Sequence, residues 1–224
     1  MNIAKHLFLT PVRACLGIER YETFRYWGYR LLFSDQGYSE EYYDGIESAN
    51  SHAYQLLAET LTEVFRPNSV VDVGCGSGGI SAALRARRVG QIYPFDFSQA
   101  SVDMTNKRGF TNARRLDLTQ AEEIPAAADL CLCLEVAEHI PRKFERHLVS
   151  ILSRVAPVLV FTAAPPGQGG HLHVNLRSQD HWKQLFREEG MEHDNSSQQQ
   201  MLQLFAGRMI RDYSTNLLVF RRRN

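Results

Sequence analysis

Val70-Val71-Asp72-Val73-Gly74-Cys75-Gly76-Ser77-Gly78-Gly79 is the stretch whose reading decides the fold. Val70, Val71 and Val73 are β-branched, as in a strand covered on both faces. The glycines that follow permit a sharp turn and a close backbone approach to a ligand. From Ile80 through Leu84 to Val89, apolar residues recur at helical spacing. Strand, turn and helix form a βα unit whose opening N–H groups would face a ligand. Such a unit begins a doubly wound, mostly parallel α/β sheet.

The glycines alone are ambiguous. Gly74, Gly76 and Gly79 satisfy G-x-G-x-x-G, while Gly74, Gly76 and Gly78 satisfy G-x-G-x-G. Asp72 separates the two readings. A carboxylate at the strand's carboxyl end repels a dinucleotide's pyrophosphate and attracts an ammonium group. The whole string resembles motif I of the class I S-adenosylmethionine-dependent methyltransferases. That resemblance implies a seven-stranded Rossmann-like sheet, with S-adenosylmethionine as donor and S-adenosylhomocysteine as product. It places Asp72, Gly74, Cys75, Gly76 and Gly78 at the cofactor, with Asp72 near its methionine moiety.

Further motifs follow in order. Residues 91–96 read as a second strand ending in Asp96, about twenty residues past the glycines, where an acid can accept hydrogen bonds from both ribose hydroxyls. Pro94 within it suggests a bulge or bend. Asp96-Phe97-Ser98 resembles the same family's post-I motif, which puts Phe97 against the adenine. Residues 112–116 read as a short third strand. By resemblance, Asp117 would bond the adenine amino group and Leu118 would flank the ring; as plain sequence, Asp117 is a turn residue. Ala128 to Leu134 is a nearly continuous apolar run, as in a central parallel strand, and its last residue, Leu134, joins the cofactor set.

That strand delivers Glu135-Val136-Ala137-Glu138-His139-Ile140-Pro141 to the ligand edge. Glu135, Glu138 and His139 stand at i, i+3 and i+4, so one helical turn would point them the same way. A fifth strand at 155–162 leads into a loop with two prolines, three glycines, His171 and His173. His139, His171 and His173 are the candidates for proton work, since imidazole titrates near neutrality; each is equally readable as a structural histidine. Glu135, Glu138, His139 and His173 (or His171) also make a reasonable set for Mg²⁺, Mn²⁺ or Zn²⁺. The E-x-x-E-H turn resembles that of ubiquinone-biosynthesis O-methyltransferases and small-RNA 2′-O-methyltransferases, which implies a divalent ion. The G-G-H-L-H-V-N loop belongs to neither pattern, so no acceptor carries over.

The N-terminal 50 residues carry many rings, including Phe8, Tyr21, Phe24, Tyr26, Trp27, Tyr29, Phe33, Tyr38, Tyr42 and Tyr43. They read as a helical extension, either a lid that walls the acceptor pocket or an attachment held by its aromatics. The cofactor-binding domain is expected over 51–224. A helix at 54–65 would pack on the sheet, and further helices are expected after Ser98, over 143–152, after Ser178 and over 201–209. Residues 195–200 read as exposed, and Arg221-Arg222-Arg223 as a solvated tail.

Of the 224 residues, 44% are hydrophobic and 22% charged, the balance of a globular chain. Lys+Arg and Asp+Glu both number 25, which disfavours general nucleic-acid binding. The four cysteines read as reduced thiols. Without a signal peptide or long apolar run, the chain is expected to be cytoplasmic, with no membrane partner. The best reading is a methyltransferase acting on a small-molecule acceptor, most readily at a hydroxyl oxygen of a sugar, quinone precursor or secondary metabolite. An NAD(P)-dependent oxidoreductase is opposed by Asp72, Asp117 and the lack of a Tyr-x-x-x-Lys set. A non-catalytic cofactor-binding or interaction module is opposed by the intact site acids. Oligomeric state is not encoded in any of these patterns.

Overall fold

The described part of the chain, seen in a computed structural model, comprises residues 28, 39–170, 172–208 and 211–223. Seven strands form one sheet in the order β3-β2-β1-β4-β5-β7-β6. They are β1 (Ser69–Val73), β2 (Gln91–Asp96), β3 (Arg114–Arg115), β4 (Leu130–Leu134), β5 (Val158–Thr162), β6 (Met191–His193) and β7 (Leu218–Arg222). The first five run parallel, and β7 is antiparallel to both β5 and β6. The strand order reverses between β1 and β4, so a crevice opens beyond their carboxyl ends.

Helices cover both faces: α1 (Glu40–Phe65), α2 (Gly79–Ala86), α3 (Gln99–Lys107), α4 (Glu145–Leu152), α5 (Gln179–Glu188), α6 (Asn195–Phe205) and α7 (Arg211–Thr215). The alternation of strand side chains divides the core. Val70, Leu130, Leu132 and Val160 meet α1, α2 and α6, whereas Val71, Cys131, Cys133 and Phe161 meet α4 and α5. Leu57 and Leu61 of α1 are completely buried, each contributing roughly 2 kcal/mol by area. Cys75, Cys131 and Cys133 are free thiols in this core, as their sequence positions suggest.

The caps expected from sequence form. The Oγ atoms of Ser39, Ser98 and Ser178 accept from the N–H groups of Tyr42, Ser101 and His181, at 3.3, 3.4 and 3.3 Å. Ser39 caps α1 although Tyr42 replaces the acid of a capping box. The helix expected over 54–65 therefore reaches back to Glu40, and the boundary placed between 50 and 51 falls inside one continuous helix. The ten N-terminal rings named above, Tyr42 and Tyr43 excepted, lie outside the described residues.

Several expectations are corrected. β2 is not bulged, because its register with β1 is unbroken from Ser69↔Gln91 to Val73↔Phe95. Phe95 O accepts from the loop after β1, so the ring nitrogen of Pro94 faces the β3 side. There β3 pairs only with Phe95 and Asp96, so the missing N–H costs no ladder bond. β3 shrinks from the expected 112–116 to two residues. Residues 195–200 are the start of α6, capped by Asp194, with Asn195, Ser196, Gln199 and Gln200 exposed as expected. In that helix Ser197 and Gln198 are buried, with Gln198 Oε1 at 2.7 Å from His193 Nε2. The helix expected over 201–209 is this one, ending at Phe205. Nor is the arginine run a loose tail. Arg221 and Arg222 belong to β7; Arg221 pairs with Asp194 at 3.0 Å, and Arg222 donates to Ser153 O at 2.7 Å. No helix among the described residues is long and apolar enough to cross a membrane.

Candidate active site

The crevice beyond β1 and β4 is a cavity of about 230 Å³. Asp72, Gly74, Cys75, Gly76, Asp96, Phe97, Asp117, Leu118 and Leu134 all line it, together with Glu135 and His139. Gly78 stands one turn behind, as the N-cap of α2. Nearly the whole cofactor set read from the sequence therefore shares one space.

Backbone geometry explains the first glycine. Gly74 has φ +78°, and a Cβ there would strike the side chain of Val136 on the turn after β4. The glycine loop and the acidic turn thus touch, which only a residue without a side chain allows. The N–H groups of the glycine loop, ahead of those that open α2, are engaged within the protein. Gly74 and Cys75 donate to Phe95 O at 2.7 and 3.0 Å, and Gly78 donates to Cys75 O at 2.9 Å. The loop is thereby fixed by β2.

Two carboxylates, of Asp72 and Asp96, face the cavity. Asp72 shares the α2 face of β1, and its Oδ2 accepts from Ser81 Oγ at 2.6 Å. Its carboxyl is pushed up to about 6 by burial, the Ser81 bond offsetting only part of that and the Asp96 charge adding to it. Asp96 accepts from Gly76 N at 2.9 Å, from Ser98 N at 2.8 Å and, more weakly, from the Tyr43 hydroxyl at 3.4 Å. Burial raises its pKa, and these bonds oppose the rise. Asp117 Oδ1 accepts from the N–H and hydroxyl of Thr119 at 3.0 and 2.7 Å, a local turn that orients the carboxylate. Cys75 contributes its backbone to the wall, while its Sγ packs 3.8 Å from Ser101 Oγ and 3.7 Å from Thr105 Oγ1.

The start of α1 closes one side of the cavity. Tyr42, Tyr43, Ile46 and Tyr54 line it, joined by Leu172 and by Tyr213 of α7. Glu47 bonds Ser77 and pairs with Arg108, while Arg108 Nε donates to Ser77 O at 2.7 Å, so this helix is clamped to the glycine loop. Burial, with the Glu47 and Asp72 charges behind it, pushes the Tyr54 phenol up to about 12. Among these residues, only Tyr42 and Tyr43 had been singled out in sequence as wall candidates.

The acidic turn does not behave as one helical turn. Glu135 has φ +54°, outside the 3₁₀ turn Ala137–His139. Its N–H donates to Thr162 O and Oγ1 at 3.1 and 2.9 Å. Glu138 instead points into the core and is wholly buried. Its Oε1 accepts from Ala164 N at 3.3 Å, and its carboxyl is in hydrogen-bonding contact with that of Glu135. Burial first, then the Glu135 charge, holds this carboxyl well above the ordinary range. The backbone oxygen of Glu138 accepts from Val174 and Asn175 at 2.8 and 3.0 Å, which ties in the histidine loop. His173 meets His139 edge to face, with ring centroids 5.0 Å apart. A Cβ on Gly170 would collide with the His173 ring, so that glycine makes room for it.

Ligand atoms of Glu138, His139 and His173 lie within 4.8 Å of one another. Glu135 falls outside that mutual distance, while its carboxyl stands in hydrogen-bonding contact with that of Glu138. His171 lies outside the described residues.

The profile of the methyltransferase-domain family matches residues 46–208, and the chain belongs to that family. Its fold is the class I S-adenosylmethionine-dependent methyltransferase fold. The ubiquinone biosynthesis O-methyltransferase of Idiomarina loihiensis is 33% identical over 89 residues, which cover 37% of this chain and 36% of that protein. A probable chloroplastic tocopherol O-methyltransferase of Oryza sativa subsp. japonica is 36% identical over 98 residues, 41% of this chain and 26% of that protein. The match thus spans about a third or less of these relatives' lengths. The plantazolicin methyltransferase BpumL, solved with a pentazolic desmethyl-plantazolicin analogue and S-adenosylhomocysteine, superposes with a TM-score of 0.62 at 15% identity. That superposition covers 91% of this chain and 96% of BpumL, and it reflects a shared fold.

Proposed function

We propose that this chain transfers the methyl group of S-adenosylmethionine to a hydroxyl oxygen of a small acceptor, with a divalent cation (Mg²⁺, Mn²⁺ or Zn²⁺) beside the acceptor. The observation that carries the reading is one cavity holding the glycine loop, Asp72, Asp96 and His139 together. The donor fits that space residue by residue. Asp72 would hold the ammonium, Asp96 the ribose hydroxyls, Phe97 and Leu118 the adenine faces, and Asp117 its amino group. The long Tyr43 bond to Asp96 is the one a ribose hydroxyl would replace most cheaply.

A sulfonium methyl is activated by its own charge, so the protein's task is alignment and control of the acceptor's proton. His139, half-buried at the cavity wall, serves that control as a ligand of the cation, whose charge would favour release of the proton to solvent. Glu138, His139 and His173 fit a cation. Within that group His173 Nδ1 is a buried polar atom without a hydrogen-bond partner, which proteins rarely tolerate unless a ligand or an ordered water satisfies it. A cation there would lower the pKa of an acceptor hydroxyl. The apolar and aromatic surround of Tyr42, Ile46, Leu172 and Tyr213 suits a hydroxyl carried on an apolar or ring scaffold. The O-methyltransferase names of the curated relatives support the same acceptor atom.

Calorimetric titration with S-adenosylhomocysteine and, separately, NADH tests the donor. Micromolar binding of the first alone, weakened by Asp96→Ala, supports the reading. Binding of NADH alone would replace it with an oxidoreductase. Elemental assay of the pure protein, with and without chelator, tests the cation.

A further inference from the structure

The amino-acid end of S-adenosylmethionine is a zwitterion, and the cavity's charges answer only half of it. Asp72 suits the ammonium, but among the described residues no lysine or arginine lines the cavity to meet the carboxylate. Neutral donors are left for that task. The start of α2 supplies some. Gly78 caps that helix without a side-chain hydrogen bond, so the N–H groups of the first turn have no intrahelical partner. One buried side chain stands over the same turn. Tyr54 of α1 is 7% exposed and lines the cavity. A Cβ on Gly79, the first residue of α2, would collide with the Tyr54 ring, so the bare glycine admits it. That accounts for the last glycine of the string, which G-x-G-x-G does not use. The charges that act on the Tyr54 hydroxyl are those of Glu47, Asp72 and Arg108, which puts it at the Asp72 end of the cavity, and among the described residues no hydrogen bond engages it. Of the two acids, Glu47 is already answered, by Arg108 and Ser77.

We infer that Tyr54 is a donor-binding residue whose hydroxyl, with the N–H groups that open α2, takes the carboxylate of S-adenosylmethionine while Asp72 takes its ammonium. The inference rests on the donor placement above. A phenol suits this position better than a cation would. A lysine or arginine here would pair with Asp72 and compete with the ligand's ammonium. The phenol, pushed up to about 12, stays a neutral donor throughout the neutral range. Tyr54 and Asp72 together then read the whole amino-acid head. A ligand without the carboxylate leaves a buried hydroxyl and a helix N-terminus unanswered, and a site built to hydrogen-bond a group rejects the analogue that lacks it.

The test is calorimetric titration of the full chain, as wild type and Tyr54→Phe, with S-adenosylhomocysteine and with its decarboxylated analogue, which keeps the adenosine and the ammonium. Thermal melts of both proteins serve as the folding control. Wild type should bind S-adenosylhomocysteine at least about tenfold more tightly than the analogue, as a hydrogen bond to a charged group allows. Tyr54→Phe keeps the ring over Gly79 and removes an oxygen that makes no hydrogen bond in the free protein, so its fold is not at risk. The variant should lose about tenfold for S-adenosylhomocysteine and hold the analogue within about twofold, so the discrimination falls about tenfold. A merely structural role would weaken both ligands alike. Equal losses for both, unchanged S-adenosylhomocysteine binding in the variant, or a wild type that binds the two ligands equally overturns the inference and leaves the donor reading standing. A cooperatively melting wild type that binds neither ligand overturns both.

Discussion

The two ends of the cavity are built on opposite terms. At the donor end, the carboxylates are already answered: Asp72 by Ser81, Asp96 by Gly76, Ser98 and Tyr43, Asp117 by Thr119. Behind the proposed acceptor end, outside the cavity lining, His173 Nδ1 and both side-chain polar atoms of Asn175 are buried without a hydrogen-bond partner. An unanswered buried polar atom costs roughly 1–3 kcal/mol. The donor end is therefore self-supporting, while the acceptor end carries a cost that a bound ligand would relieve.

The contrast is broken most severely at the contact between the two ends. Gly74→Val adds a branched side chain at φ +78°, directly against Val136. A loss of more than about 3 kcal/mol is expected, read as a large fall in melting temperature or failure to express as folded protein. Asp96→Ala removes an ionised acceptor that also fixes the loop. S-adenosylhomocysteine affinity should fall by about 30- to 100-fold, or roughly 2–3 kcal/mol, in calorimetry. Asp96→Asn should lose less, since one oxygen remains to accept.

Acidity probes the same end more gently. With its carboxyl at about 6, Asp72 is ionised at pH 7.5 and largely protonated at pH 5. Only the ionised form attracts the ligand's ammonium, so affinity is present above pH 6 and falls as pH drops through it. About a tenfold loss by pH 5 is expected, and Asp72→Asn should flatten the profile. The folding sign is the reverse. A carboxyl raised in the native state makes the free protein lose stability as pH rises from about 4 through 6.

The smallest effect sharpens the acceptor end. Glu138→Gln keeps an oxygen for the Ala164 N–H and removes a carboxyl whose ionised form is disfavoured by burial and by Glu135. Metal-free at pH 8, the variant should be about 1 kcal/mol more stable than wild type by denaturant melt, while losing cation uptake. A less stable variant would mean that Glu138 is already satisfied in the free protein.

Local patterns in the sequence determined the sheet, the helix caps and the donor site. β-branched runs, glycines in a turn and an acid at a strand end are short-range rules that survive folding unchanged, so Asp72 and Asp96 were legible at the cavity from the residues themselves, and Phe97 and Leu118 through the family resemblance. Periodicity failed where distant partners decided. Nothing in the arginine run shows that Ser153 and Asp194 receive it. The same holds at the acidic turn. Spacing of i, i+3 and i+4 assumes a helix, but Thr162 and Asn216, 27 and 81 residues away in sequence, hold Glu135 in a left-handed turn. Backbone preference is set by neighbours along the chain. The direction of a buried carboxylate is set by whichever donors the fold brings to it, and those only the tertiary structure supplies.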